Sequence, residues 1–333
     1  MPNSAETKLV ACIRHHFDQW CFPDWLTAAI RRRYPEMKVV HLPDYTGLDE
    51  EIRDADIYVG WSLKPEQIAS AGKLKWIHAT AAGVDQLMRE DIRRSPVIVT
   101  NSSGVMTVPM AEHTLGLILA LARRLPSAVR YQQQKHWAQQ DIWDEKPHPM
   151  EINGRTLVIV GFGAIGRELA RRARACEMRV VGVKRDPSRG GEDADRVVGA
   201  DELDAALAEG DFVVLATPMT PETRHLFGRE RFAAMKPTAY FINIGRGALV
   251  DTEALVAALR EGKIAGAAID VAEREPLAPD SPLWEAPNLL ITPHLSAASE
   301  RLWHRHAALL LDNLDRYFAG RELLNVVDKD RGY

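Results

Sequence analysis

Apolar and polar positions along this chain alternate between two periods. Short, mainly apolar runs recur through the first hundred residues: "KLVACI", "KVVHL", "ADIYVGW", "KWIHAT" and "VIVTN". Segments of helical period stand between them, such as "WLTAAIRRRYP", which is predicted to stop before Pro35. Strands alternating with helix-length segments imply parallel β-α-β units and a small α/β domain. A second alternation begins at "RTLVIVGFGAIG" and runs through "RVVGVKR", "FVVLATP", "AYFINIG", "IAGAAIDV" and "NLLITPHL". Helical patterns near Gly228–Met235 and in "DTEALVAALREG" separate some of these runs. Five or six strands after a glycine turn predict a complete, doubly wound parallel sheet. "VPMAEHTLGLILALARRLPSAVRYQQQKHW" predicts one long, largely helical stretch that Pro126 ends or kinks, and "DIWDEKPHPM" a loop or arm. "SERLWHRHAALLLDNLDRYFAG" predicts a long amphipathic helix.

The doubly wound part thus sits in the middle of the chain. The terminal helix is expected to return to the first domain, making that domain discontinuous (1–102 and 298–333) around a second one (103–297), with a cleft between them. The chain has 333 residues, 46% hydrophobic and 26% charged, enough for two cores. Its formal net charge of -4 argues against nucleic acid or an acidic membrane surface as partner. Cys12, Cys21 and Cys176 are isolated, so neither a metal site nor a disulfide framework is expected, and a reducing, cytoplasmic compartment fits. "TLGLILALA" is too short to span a bilayer, and the N-terminus lacks the apolar run of a signal peptide.

Gly161, Gly163 and Gly166 form G-x-G-x-x-G between a predicted strand and a predicted helix. Gly161 permits the turn, Gly163 lets a pyrophosphate approach the backbone, and Gly166 lets helix and strand pack closely. With Phe162, Ala164 and Ile165 between them, these residues predict a dinucleotide site in which the helix N-terminus meets phosphate. The next strand ends in Lys184, Arg185 and Asp186, where an NAD site commonly places an acid. Two cations suit a 2'-phosphate, so NADP(H) is the expected cofactor and NAD(H) the alternative. On the other reading both are solvated charges and Asp186 serves the ribose.

In "FINIGRGALVD", "AAIDVAEREPL" and "LLITPHLSAAS", strand ends lead to Arg246, Glu275 and His294, with Asp270 ending its own strand. Such ends border the ligand crevice of a doubly wound sheet. Reducing a 2-keto acid needs a cation for carboxylate and ketone, which Arg246 offers, and a proton donor, which His294 offers. Glu275 beside His294 would fix its tautomer and favour its charged form. Taken singly, each also has a plain structural reading, a core histidine or an arginine capping a turn.

Together these segments, with "AAGVDQL", "NSSGVMTVPMAEHTLGLILALARR" and "TPMTPETRHLF", resemble the D-isomer-specific 2-hydroxyacid dehydrogenases over nearly the whole chain. The likeness is nearest to glyoxylate/hydroxypyruvate reductase-like members. It implies a Rossmann-like domain inserted in a discontinuous flavodoxin-like substrate domain, and NAD(P)-dependent reduction of small 2-keto acids. By the resemblance, Arg246 binds substrate and Glu275 with His294 forms the acid/base dyad. Asp270 faces the nicotinamide side of the cofactor, and Thr217, Pro218 and Ile244 line its site. The backbone amides of Ala82, Gly83 and Val84 hold the substrate carboxylate. A homodimer through roughly 108–150 is implied, where Trp137 and Trp143 either reach a neighbouring subunit or pack the arm. Glu275 separates the chain from the formate dehydrogenases of the superfamily, which carry glutamine there. Other family activities, such as phosphoglycerate or phosphite oxidation, and a non-enzymatic dinucleotide-sensing protein are the alternatives. The chain's end soon after "NVVDKDRGY" leaves no expected regulatory domain.

Overall fold

The structure, a computed structural model, describes residues 3–332 other than 85 and 189. It divides into two compact units, one of residues 1–106 with 298–333 and one of residues 107–297.

The first unit is built on strands β1 (Lys8–Cys12), β2 (Lys38–Leu42), β3 (Ile57–Val59), β4 (Trp76–His78) and β5 (Ile98–Thr100). They are all parallel, in the order β2-β1-β3-β4-β5, the flavodoxin-like arrangement. Alternate side chains serve opposite faces, as the two-residue period requires. Leu9, Ala11 and Trp76 pack on one face with Leu310 and Leu314 of the terminal helix Leu302–Phe318. Val10, Cys12 and Ile77 pack on the other with Ile52, Leu87 and Ile92. Fully buried Trp76 stacks on Tyr317, with ring centroids 5.6 Å apart.

The second unit carries β6 (Thr156–Val160), β7 (Arg179–Val183), β8 (Arg196–Val198), β9 (Phe212–Leu215), β10 (Tyr240–Asn243), β11 (Gly266–Ile269) and β12 (Leu289–Ile291). Their order, β12-β11-β10-β9-β6-β7-β8, is the doubly wound Rossmann order with one further strand. Both faces are covered. Leu157 and Ile159 meet Ile118, Leu121 and Leu169, while Val158 and Val160 meet Phe232, Leu255 and Leu259. Each such fully buried aliphatic side chain contributes about 1.5–3 kcal/mol, which is why these strands read as unbroken apolar runs.

Three local features depart from the sequence pattern. In chain order strand β8 falls between the expected second and third strands, and it is a three-residue strand at the edge of the sheet beside β7. The long helical stretch breaks before Pro126, not at it. The helix Thr107–Ala122 ends, Arg124 takes a left-handed φ of 56°, and the helix Leu125–Gln133 starts with Pro126 in its first turn. Proline costs nothing there, because a first-turn N–H has no helical partner. Arg124 is buried, and its Nε donates to the Pro147 carbonyl at 3.1 Å, so this contact fixes the break. The expected arm contains a short helix, Gln139–Asp144. Among the described residues no helix is long and apolar enough to cross a membrane.

Candidate active site

The glycine turn joins β6 to the helix Ala164–Ala175. Gly161 has φ of 99°, and a Cβ on it would lie 2.5 Å from the Thr217 amide nitrogen. Only glycine fits this approach to the β9 loop. Gly166 is pressed against the Gly161 carbonyl and Ile159. Around an added Gly163 Cβ there is open space within 4 Å, above the first turn of the helix, whose amides lack intrahelical partners. That gap, with Ala164 exposed and Ile165 half-buried beside it, is shaped for an anion held by backbone N–H groups. Phe162 differs from its neighbours: its ring is buried under Gly182, so only its backbone faces the turn. Ile244 is likewise a core side chain. Thr217 is half-buried and Pro218 exposed in the loop after β9.

Lys184 follows β7 directly and is half-buried; Arg185 is exposed. Asp186 accepts hydrogen bonds from the Ser188 amide (3.1 Å) and hydroxyl (2.5 Å). A third cation, which the sequence pattern did not single out, joins this corner. Arg167, one residue after the glycine motif, and Lys184 both flank Gly190. Arg167 is paired with Asp193 at 2.7 Å and Glu192 at 3.5 Å. The residues thus fit a dinucleotide, and the cations fit one carrying an extra phosphate.

His294, Glu275 and Arg246 all belong to the second unit, on loops after β12, β11 and β10. His294 Nδ1 lies 2.7 Å from Glu275 Oε2. Burial pushes the Glu275 carboxyl up, but the His294 hydrogen bond, the Ala272 amide at 2.9 Å and the nearby charges of His294 and Arg246 outweigh it. The net effect holds Glu275 below the ordinary range. Ionised Glu275 can only accept, so His294 carries its proton on Nδ1 and Nε2 is the atom left to exchange one. His294 itself adopts a left-handed φ of 53°, with its amide bonded to the Asp270 and Thr292 carbonyls. Backbone of this kind persists where the surroundings over-determine it, often at functional sites.

Asp270 supplies that determination. Its buried carboxylate accepts the Thr292 hydroxyl (2.6 Å) and the amides of Leu295 and Ser296 (both 2.9 Å). Thr292 has one hydroxyl proton and gives it to Asp270. The contact of His113 Nε2 with Thr292 Oγ1, at 3.1 Å, therefore has His113 as donor. Asp270 thus holds the His294 loop from beneath. Arg246 is half-buried, and its Nη1 donates to the Gly245 carbonyl at 3.0 Å. Buried Asn243 braces the same turn: its Nδ2 donates to the Arg246 carbonyl and its Oδ1 accepts from the Gly245 amide, both at 3.0 Å. A Cβ on Gly247 would overlap Ala272 and Glu273, so the Arg246 turn rests directly on the chain leading to Glu275.

In the first unit, Ala82, Gly83 and Val84 follow β4. Ala82 is half-buried, Gly83 exposed and Val84 buried. His113, Thr292, Asn243 and Arg167 are the supporting residues that the motifs did not single out, although His113 lies within "VPMAEHTLG".

This chain matches the model of the D-isomer specific 2-hydroxyacid dehydrogenase NAD binding domain over residues 115–296. It is 36% identical over 294 residues to the glyoxylate reductase of Korarchaeum cryptofilum, covering 84% of this chain and 85% of that one. A D-isomer specific 2-hydroxyacid dehydrogenase family protein from Aeromonas salmonicida superposes with a TM-score of 0.84 at 33% identity, covering 98% of this chain and 100% of that one. The NADPH-dependent glyoxylate/hydroxypyruvate reductase of Sinorhizobium meliloti, solved with NADP and sulfate, does so with 0.83 at 27% identity, covering 98% and 100%. The chain belongs to the D-isomer specific 2-hydroxyacid dehydrogenase family. It is an NAD(P)-dependent oxidoreductase of that family.

Proposed function

We propose that this enzyme reduces small 2-keto acids, glyoxylate and hydroxypyruvate first, to D-2-hydroxy acids with NADPH. The observation that carries the reading is the 2.7 Å His294–Glu275 pair, with the Glu275 loop adjoining the Arg246 turn. When bound, the reduced nicotinamide supplies the hydride. Arg246 holds the substrate carboxylate and polarises the ketone, and the amides of Ala82, Gly83 and Val84 donate to the carboxylate. His294 Nε2 gives its proton to the ketone oxygen as the carbonyl carbon is reduced, so the product leaves as the hydroxy acid and His294 as neutral imidazole. Glu275 stays ionised throughout, fixing the imidazole and stabilising its charged form. Asp270 acts beneath the loop, through the backbone that carries His294.

For the cofactor, Gly161–Gly166 would hold the pyrophosphate and Lys184, Arg185 and Arg167 the 2'-phosphate. The preference for NADPH rests on these three cations, and the NADP-bound relative is consistent with it. We further propose a homodimer through roughly residues 108–150, where Leu119, Leu125, Val129, Trp137 and Trp143 are exposed. Exposed apolar side chains gathered in this part of the chain support an interface there. Absorbance at 340 nm tests the reaction. NADPH oxidation by glyoxylate or hydroxypyruvate, well ahead of NADH, is the expected result. Turnover with NADH alone would overturn the cofactor assignment, and no turnover with either acid would overturn the substrate.

A further inference from the structure

The loop after β4 is held from within its own unit. The Ser102 amide donates to the Ala81 carbonyl at 3.0 Å, and Asn101 Nδ2 donates to the Ala82 carbonyl at 3.0 Å. A trans peptide is planar, so each N–H points opposite to the preceding C=O. Tying the carbonyls of Ala81 and Ala82 to residues 101–102 therefore aims the amides of Ala82 and Gly83 the other way. Ser102 Oγ adds a third tie, donating to the Ala79 carbonyl at 2.9 Å.

That hydroxyl has a second neighbour. His306, on the helix Leu302–Phe318, places Nδ1 3.1 Å from Ser102 Oγ. A carbonyl cannot donate, so the single Ser102 proton is committed to Ala79. Ser102 must accept from His306, which fixes the His306 proton on Nδ1. Both residues are almost wholly buried, at 2% and 0% exposure, so neither bond competes with water. The result is a directed chain, His306 to Ser102 to Ala79, ending at the base of the loop.

We propose that His306, acting through Ser102, is a positioning residue that sets the aim of the Ala82 and Gly83 amides. Its place in catalysis rests on the reading that these amides bind the substrate carboxylate. Without the Nδ1 donor the Ser102 oxygen loses the partner that holds it in place and is left unsatisfied in a buried site, so the loop's anchor is loosened while the terminal helix keeps its apolar contacts.

The test compares His306→Leu, Ser102→Ala and His306→Asn, the last keeping a side-chain N–H at similar reach. Hydrogen exchange of residues 78–84, followed by mass spectrometry, needs no turnover. It is expected to quicken about tenfold in His306→Leu and Ser102→Ala, the scale of one neutral hydrogen bond, and to recover in His306→Asn. The KM for glyoxylate should rise by about the same factor, with kcat within about threefold and NADPH affinity unchanged. Loop exchange that stays at the wild-type rate, even with a lowered Tm, would overturn the proposal, as would His306→Leu and His306→Asn behaving alike. Should the His306→Asn variant fail to fold, Ser102→Thr, which keeps the hydroxyl, serves as the rescue. A wild-type enzyme inactive on every 2-keto acid would remove the substrate reading, and the loop exchange would still decide the positioning role.

Discussion

Gly247 and Ala272 stand in direct backbone contact: a Cβ on Gly247 would lie 1.9 Å from the Ala272 carbonyl carbon. Arg246 precedes the first of these residues, and Glu275 follows the second by three. The Ala272 amide also donates to Glu275 Oε1 at 2.9 Å. Arg246, the proposed substrate-binding residue, and Glu275, the carboxylate of the proposed dyad, are therefore registered to each other through main chain, which bends far less than side chains do.

The glycine turn separates folding from binding. Gly161→Ala meets both a left-handed φ and the Thr217 amide, so it should destabilise the protein by about 2 kcal/mol or more and lower Tm by several degrees. Gly163→Ala meets open space and should leave Tm within about a degree or two, while weakening cofactor binding because the new methyl fills the approach to the helix N-terminus. Thermal melts with and without NADPH check both. Equal effects on Tm would contradict this division.

Lys184, Arg185 and Arg167 should set cofactor choice together. Replacing Lys184 by Asp and Arg185 by Ser should cut kcat/KM for NADPH by about 10–100-fold, the worth of charged hydrogen bonds to phosphate, and leave NADH near its starting value. Arg167→Ala should act in the same direction, more weakly because Asp193 already partners it. Steady-state kinetics with both cofactors measures the ratio. An unchanged ratio would contradict a role for these cations in cofactor choice.

Much of this arrangement was legible in the chain, and for physical reasons. Strands buried on both faces read as continuous apolar runs, and the glycine motif stands between strand and helix because only glycine tolerates the Gly161 approach. In a doubly wound sheet the loops leaving the strand ends are exposed to the crevice, so Arg246, Glu275 and His294 stood out. Strand β8 did not, since three residues at a sheet edge carry too little period. The break at Arg124 depends on Pro147, 23 positions away. Arg167 and His113 sit on helix patterns that look solvated or buried, and their roles come from neighbours distant in sequence, Asp193 and Thr292.

Asp270→Asn tests the support of the His294 loop. The buried carboxylate accepts three hydrogen bonds, and an amide would present a donor to at least one of those N–H or O–H groups. Destabilisation of about 1–3 kcal/mol is expected, with kcat falling further than cofactor affinity. Denaturant unfolding and fluorescence titration with NADPH check it. A variant of wild-type stability and rate would contradict the role assigned to Asp270.

Acid should loosen the first unit. Burial pushes His78 down to about 3 and His306 down to about 4, so both are neutral in the folded protein. Unfolded histidines bind protons below about pH 6.5. Their contribution is therefore complete above that pH and is lost as pH falls toward 4 and then 3, each costing up to about 1.4 kcal/mol per pH unit. Unfolding free energy measured from pH 7 to pH 4 should fall, and less steeply in His306→Asn. A flat profile over this range would contradict neutral burial.

The most direct test is the rate of keto-acid reduction by His294→Ala, measured with NADPH alongside cofactor binding by fluorescence. Loss of the proton donor predicts a kcat about 10²–10⁴-fold below wild type with NADPH affinity unchanged. Turnover near the wild-type rate would show that His294 and its partner Glu275 are not the acid/base pair of this enzyme.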